Sequence, residues 1–101
     1  MLTGKAKVVT IITAFEAQDL VAGAFADLGV KRYSSLRVDG LGAHGRKHSG
    51  LSGNKNLEYV ILASASLAEK VLAWVDLELL PRYPSVAYST DATAVTAEPL
   101  F

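Results

Sequence analysis

At 101 residues the chain suits one domain built round a single core. Half of it is hydrophobic, and a domain of this size leaves much of its surface exposed, so the apolar excess points to self-association. Ten basic residues cancel ten acidic ones, which argues against a general nucleic-acid binder, and the absence of cysteine removes disulfides and thiolate metal sites. Lys5 and Lys7 interrupt the N-terminal apolar run, and no stretch approaches the roughly 20 apolar residues of a membrane span. The expectation is a soluble cytoplasmic protein.

Lys5 to Thr13 is short and β-branched and predicts a strand. Glu16 to Leu28 changes period: Leu20, Val21, Ala24, Phe25 and Leu28 share one helical face, with Gly29 as the stop. Tyr33 to Asp39 predicts a second strand, with Ser34, Leu36 and Val38 on one face and Tyr33, Ser35 and Arg37 on the other. A glycine-rich segment, about Gly40 to Asn56, follows; its later half, Ser49 to Asn54, has linker composition and reads as mobile. Leu57 to Ala63 predicts a third strand that is apolar on both faces. Ser66-Leu67-Ala68-Glu69 has the capping-box pattern of a second helix, whose buried stripe is Leu67, Val71, Trp74 and Val75 and which Pro81 ends. Tyr83 to Thr90 predicts a fourth strand, and the weakly patterned residues from Asp91 read as a mobile tail. The order βαββαβ is that of a ferredoxin-like α+β sandwich, a four-stranded antiparallel sheet with two helices on one face. Two helices leave the other face bare, and its apolar residues imply a partner surface.

The chemistry concentrates between the second and third strands. Gly40 and Gly42 let backbone N–H groups approach an anion closely, and Arg46 and Lys47 add charge suited to phosphate. The plainer reading is a flexible connection with solvated charges. The segment is neither a Walker loop nor a dinucleotide fingerprint, because no Gly-Lys-Ser/Thr follows and no helix begins there. His44 and His48 are the chain's two histidines, but the glycine between them argues against helical metal-ligand spacing and no acidic cluster accompanies them. No metal site and no catalytic residue is assigned. Ser34 and Ser35 interrupt an otherwise apolar strand, where their hydroxyls either bond a ligand such as a purine or satisfy the backbone. Tyr33, Tyr59, Tyr83 and Tyr88 suggest base stacking on RNA, yet the third strand lacks the basic, multi-aromatic signature of that module.

From about Val8 to Asp91 the chain resembles the PII-like signalling proteins. Thr13-Ala14-Phe15-Glu16-Ala17-Gln18-Asp19-Leu20 falls where that family leaves its first strand, and Ala26-Asp27-Leu28-Gly29-Val30 matches its helix end. Val38-Asp39-Gly40-Leu41-Gly42 looks like the start of its T-loop. Leu62-Ala63-Ser64-Ala65-Ser66, Arg82 to Thr90 and the pattern Gly40, Gly42, Arg46 look most like the inorganic-carbon branch. That branch holds the carboxysome-associated PII proteins and the PII-like partners of bicarbonate transporters.

The resemblance implies one PII-like domain over residues 1–101, with a T-loop-like segment at about 40–56. It implies a homotrimer with adenine nucleotides in the clefts between subunits, no covalent cofactor and no enzymatic activity. Ser34, with Ser35 beside it, would meet the adenine, and Leu62 would lie near the base. Gly40, Leu41, Gly42, Ala43 and Arg46 would serve the phosphates, with Arg82 as a further basic group. Bicarbonate would bind near the loop base, at Gly42, His44, Gly45 and Arg46. The arginine and glutamine that follow the second glycine in nitrogen-signalling members are Ala43 and His44 here, and Leu80-Pro81-Arg82-Tyr83-Pro84 replaces their glycine- and lysine-bearing B-loop. These departures favour ADP or AMP over ATP. The implied partner is a bicarbonate transporter or a carboxysome-related protein. The competing reading is a trimer like the CutA divalent-metal proteins, with the same core and no nucleotide; an acylphosphatase-like enzyme ranks last, for want of an arginine–asparagine pair.

Overall fold

The computed structural model of the chain describes residues 2–39, 55–99 and 101. Strand β1 (Leu2–Ala14) passes through a 3-10 turn (Phe15–Ala17) into helix α1 (Gln18–Leu28). Strands β2 (Tyr33–Val38) and β3 (Asn56–Ala63) follow. Helix α2 (Ala65–Trp74) continues into a π-helical turn (Val75–Leu79), and β4 (Ser85–Thr96) completes the sheet. The strands lie in the order β2-β3-β1-β4 with every neighbouring pair antiparallel, which is the expected ferredoxin-like arrangement. The centre falls to β1 because Val8 to Thr13 are six consecutive β-branched residues, stiff side chains that pack well on a pleated surface.

Pairing fixes the two faces. Val9, Ile11 and Thr13 stand opposite Ile61, Tyr59 and Leu57, and this set lies beneath the helices. Val9, Ile11 and Ile61 are fully buried there against Val21, Phe25, Val71 and Leu79. Phe25 meets the rings of Tyr33 and Tyr59 edge-on, at 4.9 and 5.4 Å between centroids, so α1 is seated on β2 and β3 by three aromatic rings. The opposite set, Val8, Thr10 and Ile12 with Leu62, Val60, Glu58, Tyr88 and Val86, has no helix over it. Leu36, Val86 and Tyr88 on that face are each about half exposed, at 51%, 47% and 50%.

Element boundaries depart from the sequence reading for local reasons. Neither Ala14 nor Ala17 offers a side-chain cap, and the chain tightens into a 3-10 turn before α1 becomes regular at Gln18. Gly29 ends α1 in the left-handed region, at φ 82°, with its N–H on the Phe25 carbonyl. The cap of α2 is Ser64 and not Ser66, since the Ser64 hydroxyl accepts from the Leu67 N–H at 3.2 Å. The π turn lets Leu80 donate to the carbonyl of Val75, five residues back, and Val71, Val75 and Leu79 stay buried while Trp74 is only half-buried. Strand β4 does not stop at Thr90. It pairs with β1 from Thr13–Ser85 to Leu2–Thr96, so the residues from Asp91 to Thr96 are strand where a tail was expected. Lys7 and Asp91 form an ion pair across this ribbon, and the hydrogen bond from the ammonium holds the Asp91 carboxyl below its usual pKa.

Two outcomes follow for stability. Ser64→Ala should cost about 1 kcal/mol in urea unfolding, and Ser66→Ala much less, because only Ser64 satisfies an N–H of the first turn of α2. Burial, with Tyr33 beside it, raises the pKa of the Tyr59 phenol above its usual 10.0. The folded state then holds this proton more tightly than the unfolded chain. Its contribution is complete below the unfolded value and is lost as pH rises through the folded one. Tyr59→Phe should therefore flatten the fall in stability above about pH 10, measured against the parent protein.

Candidate functional site

Ser34 and Leu62 lie at one end of the open face. Ser34 stands on edge strand β2 opposite Val60, and Leu62 stands on β3 opposite Val8, one step further along the same face. Main-chain bonding fixes their relation, since the Leu62 N–H donates to the Arg32 carbonyl at 2.9 Å. Leu62 is half-buried and Ser34 exposed. Ser35 is exposed too, but alternation turns it to the helix side, opposite Tyr59. Ser34 and Leu62 thus come together, while Ser35 belongs to the other face.

Arg82 lies at the opposite end. It sits in the turn between the π-helical segment and β4, its N–H on the Leu79 carbonyl and its side chain exposed. The Ser85 hydroxyl donates to the Tyr83 carbonyl at 3.0 Å, which leaves Ser85 to accept from the Thr13 hydroxyl at 2.8 Å. Those two bonds pin the turn to the end of β1. The same end carries Val38, Asn56 and Ala14 side by side, where β2 leaves and β3 resumes. Gly40, Leu41, Gly42, Ala43, His44, Gly45 and Arg46 lie outside the described residues. Ser34 is four residues from Val38 and Leu62 six from Asn56, so about 13 and 20 Å of strand separate the two groups.

Three side chains were not picked out from the sequence. Arg37 places its guanidinium 4.3 Å from the centre of the Phe15 ring, a cation–π contact on the helix side of β2. Arg32, just before β2, reaches the C-terminal residues: its Nη2 donates to the Pro99 carbonyl at 2.9 Å and lies 3.9 Å from a Glu98 carboxylate oxygen. A single arginine in an irregular connection gives no signal of such a contact. Asn56 is 1% exposed, and neither its Nδ2 nor its Oδ1 has a hydrogen-bond partner among the described residues. Buried polar groups in native proteins are nearly always paired, so an amide with no partner among the described residues sets this end of the sheet apart. Among the described residues no three histidine, cysteine or acidic side chains gather as metal ligands, and His44 and His48 lie outside them. No described helix is long and apolar enough to cross a membrane.

The family model for nitrogen regulatory protein P-II matches residues 6–98, most of the chain, and the chain belongs to that family. It is a PII-like signalling protein, as the sequence resemblance anticipated. Among solved structures it is similar to a PII-like signaling protein from Thermus thermophilus, with 22% identity, 94% of each chain covered and a TM-score of 0.77. It is similar also to CPII, a nitrogen regulatory PII-like protein from Thiomonas intermedia, bound to ADP, AMP and bicarbonate. There the identity is 16%, over 94% of this chain and 100% of the other, with a TM-score of 0.78. The apo form of the same CPII matches at 13% identity, over 92% and 95%, with a TM-score of 0.73. At such identities the likeness is one of fold. No curated protein sequence matches the chain.

Proposed function

We propose that the chain is one PII-like domain that assembles as a homotrimer and senses adenine nucleotide, ADP or AMP in preference to ATP, in the clefts between its subunits. Bicarbonate is the second ligand proposed, at the base of the T-loop-like segment, residues 40–56. The observation that carries this reading is that Ser34 and Leu62 share one end of the open face, while Arg82 and the strand ends flanking the 40–54 segment lie at the other. Ser34 and Leu62 form the base half; Ser35, first grouped with them, points from the same edge strand to the helix side. Gly40, Leu41, Gly42, Ala43, Arg46 and Arg82 are the residues proposed for the phosphate half. About 13 to 20 Å of strand separates Ser34 and Leu62 from the far end of the sheet, and a site shared between two copies brings the two groups together without folding the 40–54 segment back along its own sheet. Two copies packed through the open faces bring the base half of one to the phosphate half of the next. The bare apolar face, with Leu36, Val86 and Tyr88 half exposed, supports such packing.

The ligands bound in the CPII structures, ADP, AMP and bicarbonate, support the choice of small molecules. The same ligands favour this reading over a CutA-like metal trimer. Ligand binding shifts the 40–56 segment by the difference in its affinity for the segment's alternative arrangements, and a partner reads the result. The partner class proposed is a protein of inorganic-carbon metabolism, a bicarbonate transporter or a carboxysome-related protein, in the cytoplasm. The role is signalling and not catalysis.

Isothermal calorimetry of the purified protein should show saturable heat with ADP and AMP. Arg46→Ala should weaken ADP by roughly 1–3 kcal/mol, as expected for a charge-assisted bond to phosphate. No heat with AMP, ADP or ATP at millimolar concentration would end the nucleotide reading, and an unchanged affinity in the variant would remove Arg46 from the site.

A further inference from the structure

Beyond Thr96 the chain leaves the sheet and turns back. The Glu98 N–H donates to the Thr96 hydroxyl at 3.2 Å, and Arg32 then holds the returning segment through the Pro99 carbonyl at 2.9 Å and the Glu98 carboxylate at 3.9 Å. Between this segment and the body of the protein lies a groove of about 480 Å³. One side is built from Leu62, Ser64 and Leu67, at the junction of β3 and α2, and the other from Pro99 and Phe101, with Arg32 at the margin. Leu62 is the residue that the sequence assigns to the nucleotide base, so the groove opens directly on the base half of the proposed site. Phe101 is 64% exposed, a large apolar ring left mostly in water at the mouth of an apolar groove.

Resting on the nucleotide reading above, we propose that Phe101 is a stacking face for the adenine base and that Arg32 is the positioning residue that holds it there. A purine needs a flat apolar surface against its ring and a few polar groups at its edge. The groove offers the first through Leu62, Leu67 and Phe101, and the second through the Ser64 hydroxyl. Lys31 and Arg32 on the same rim favour an anionic ligand over a neutral nucleoside. The ion pair of Arg32 with Glu98 is exposed, and such a pair by itself adds little to folding. The segment's position is set by Arg32, and an aromatic base entering the groove gives the Phe101 ring the contact that water denies it.

The test is ADP calorimetry on the full-length protein and four variants: Phe101→Ala, Phe101→Trp, Arg32→Gln and the Phe101→Ala/Arg32→Gln pair. Phe101→Ala should weaken ADP by about tenfold or more, the range for loss of a base–aromatic stack. Phe101→Trp should keep or tighten binding. Arg32→Gln should weaken ADP as well but add little in the double variant, because the two residues act as one unit. All variants should melt near the parent temperature, since the ring is mostly exposed and the Arg32 contacts lie at the surface. Parental affinity in Phe101→Ala, or equal losses in Phe101→Ala and Phe101→Trp, overturns the stacking role while leaving the nucleotide reading intact. No heat with the parent protein overturns both.

Discussion

Two helices cannot cover both faces of a four-stranded sheet, and the rest of this structure follows from that constraint. Helices α1 and α2 bury Val9, Ile11, Tyr59 and Ile61 completely or nearly so. The alternate residues of the same strands, Val8, Thr10, Ile12, Val60 and Leu62, are left on a face with no helix. Both rows are apolar because β1 and β3 carry β-branched or large apolar residues at consecutive positions, a pattern that belongs to strands covered on both sides. The described residues of one chain supply one cover only, and the proposed trimer supplies the second from another copy.

The candidate site inherits the same geometry. Alternation puts Ser34 and Leu62 on the uncovered face, and the antiparallel order sends the roots of the 40–54 segment and the Arg82 turn to the far end. Asn56, buried with neither amide atom paired among the described residues, lies at that far end.

The parts legible in the sequence were those with one strong local cause. Six β-branched residues announce β1, a run of apolar residues at helical spacing announces α1, and Gly29 marks its end where a left-handed residue is required. The far half of β4 was not legible. From Asp91 to Thr96 the half-buried face carries only Ala92, Ala94 and Thr96 while Val95 is exposed, so no hydrophobic period distinguishes the segment from a tail. The α2 cap was misplaced by two residues because Ser64 and Ser66 both suit the position, and only the backbone decides between them. Of the site, Ser34 and Leu62 came from the family resemblance, and strand pairing puts them on one face; Ser35 was assigned with them although alternation turns it away. The contact between Arg32 and Pro99 joins residues 67 apart in sequence and rests on one irregular connection, which no local pattern encodes.

The central claim is that each site is shared between two copies, and subunit mixing tests it most directly. Ser34→Glu blocks the base half and Arg46→Ala the phosphate half, so each variant alone should bind ADP weakly. Refolding the two together gives mixed trimers, in which one junction joins an intact base half to an intact phosphate half. ADP affinity near that of the parent protein, at about one site per mixed trimer, is the predicted result. Mixed trimers that bind no better than either variant alone would place both halves in the same chain and contradict the account.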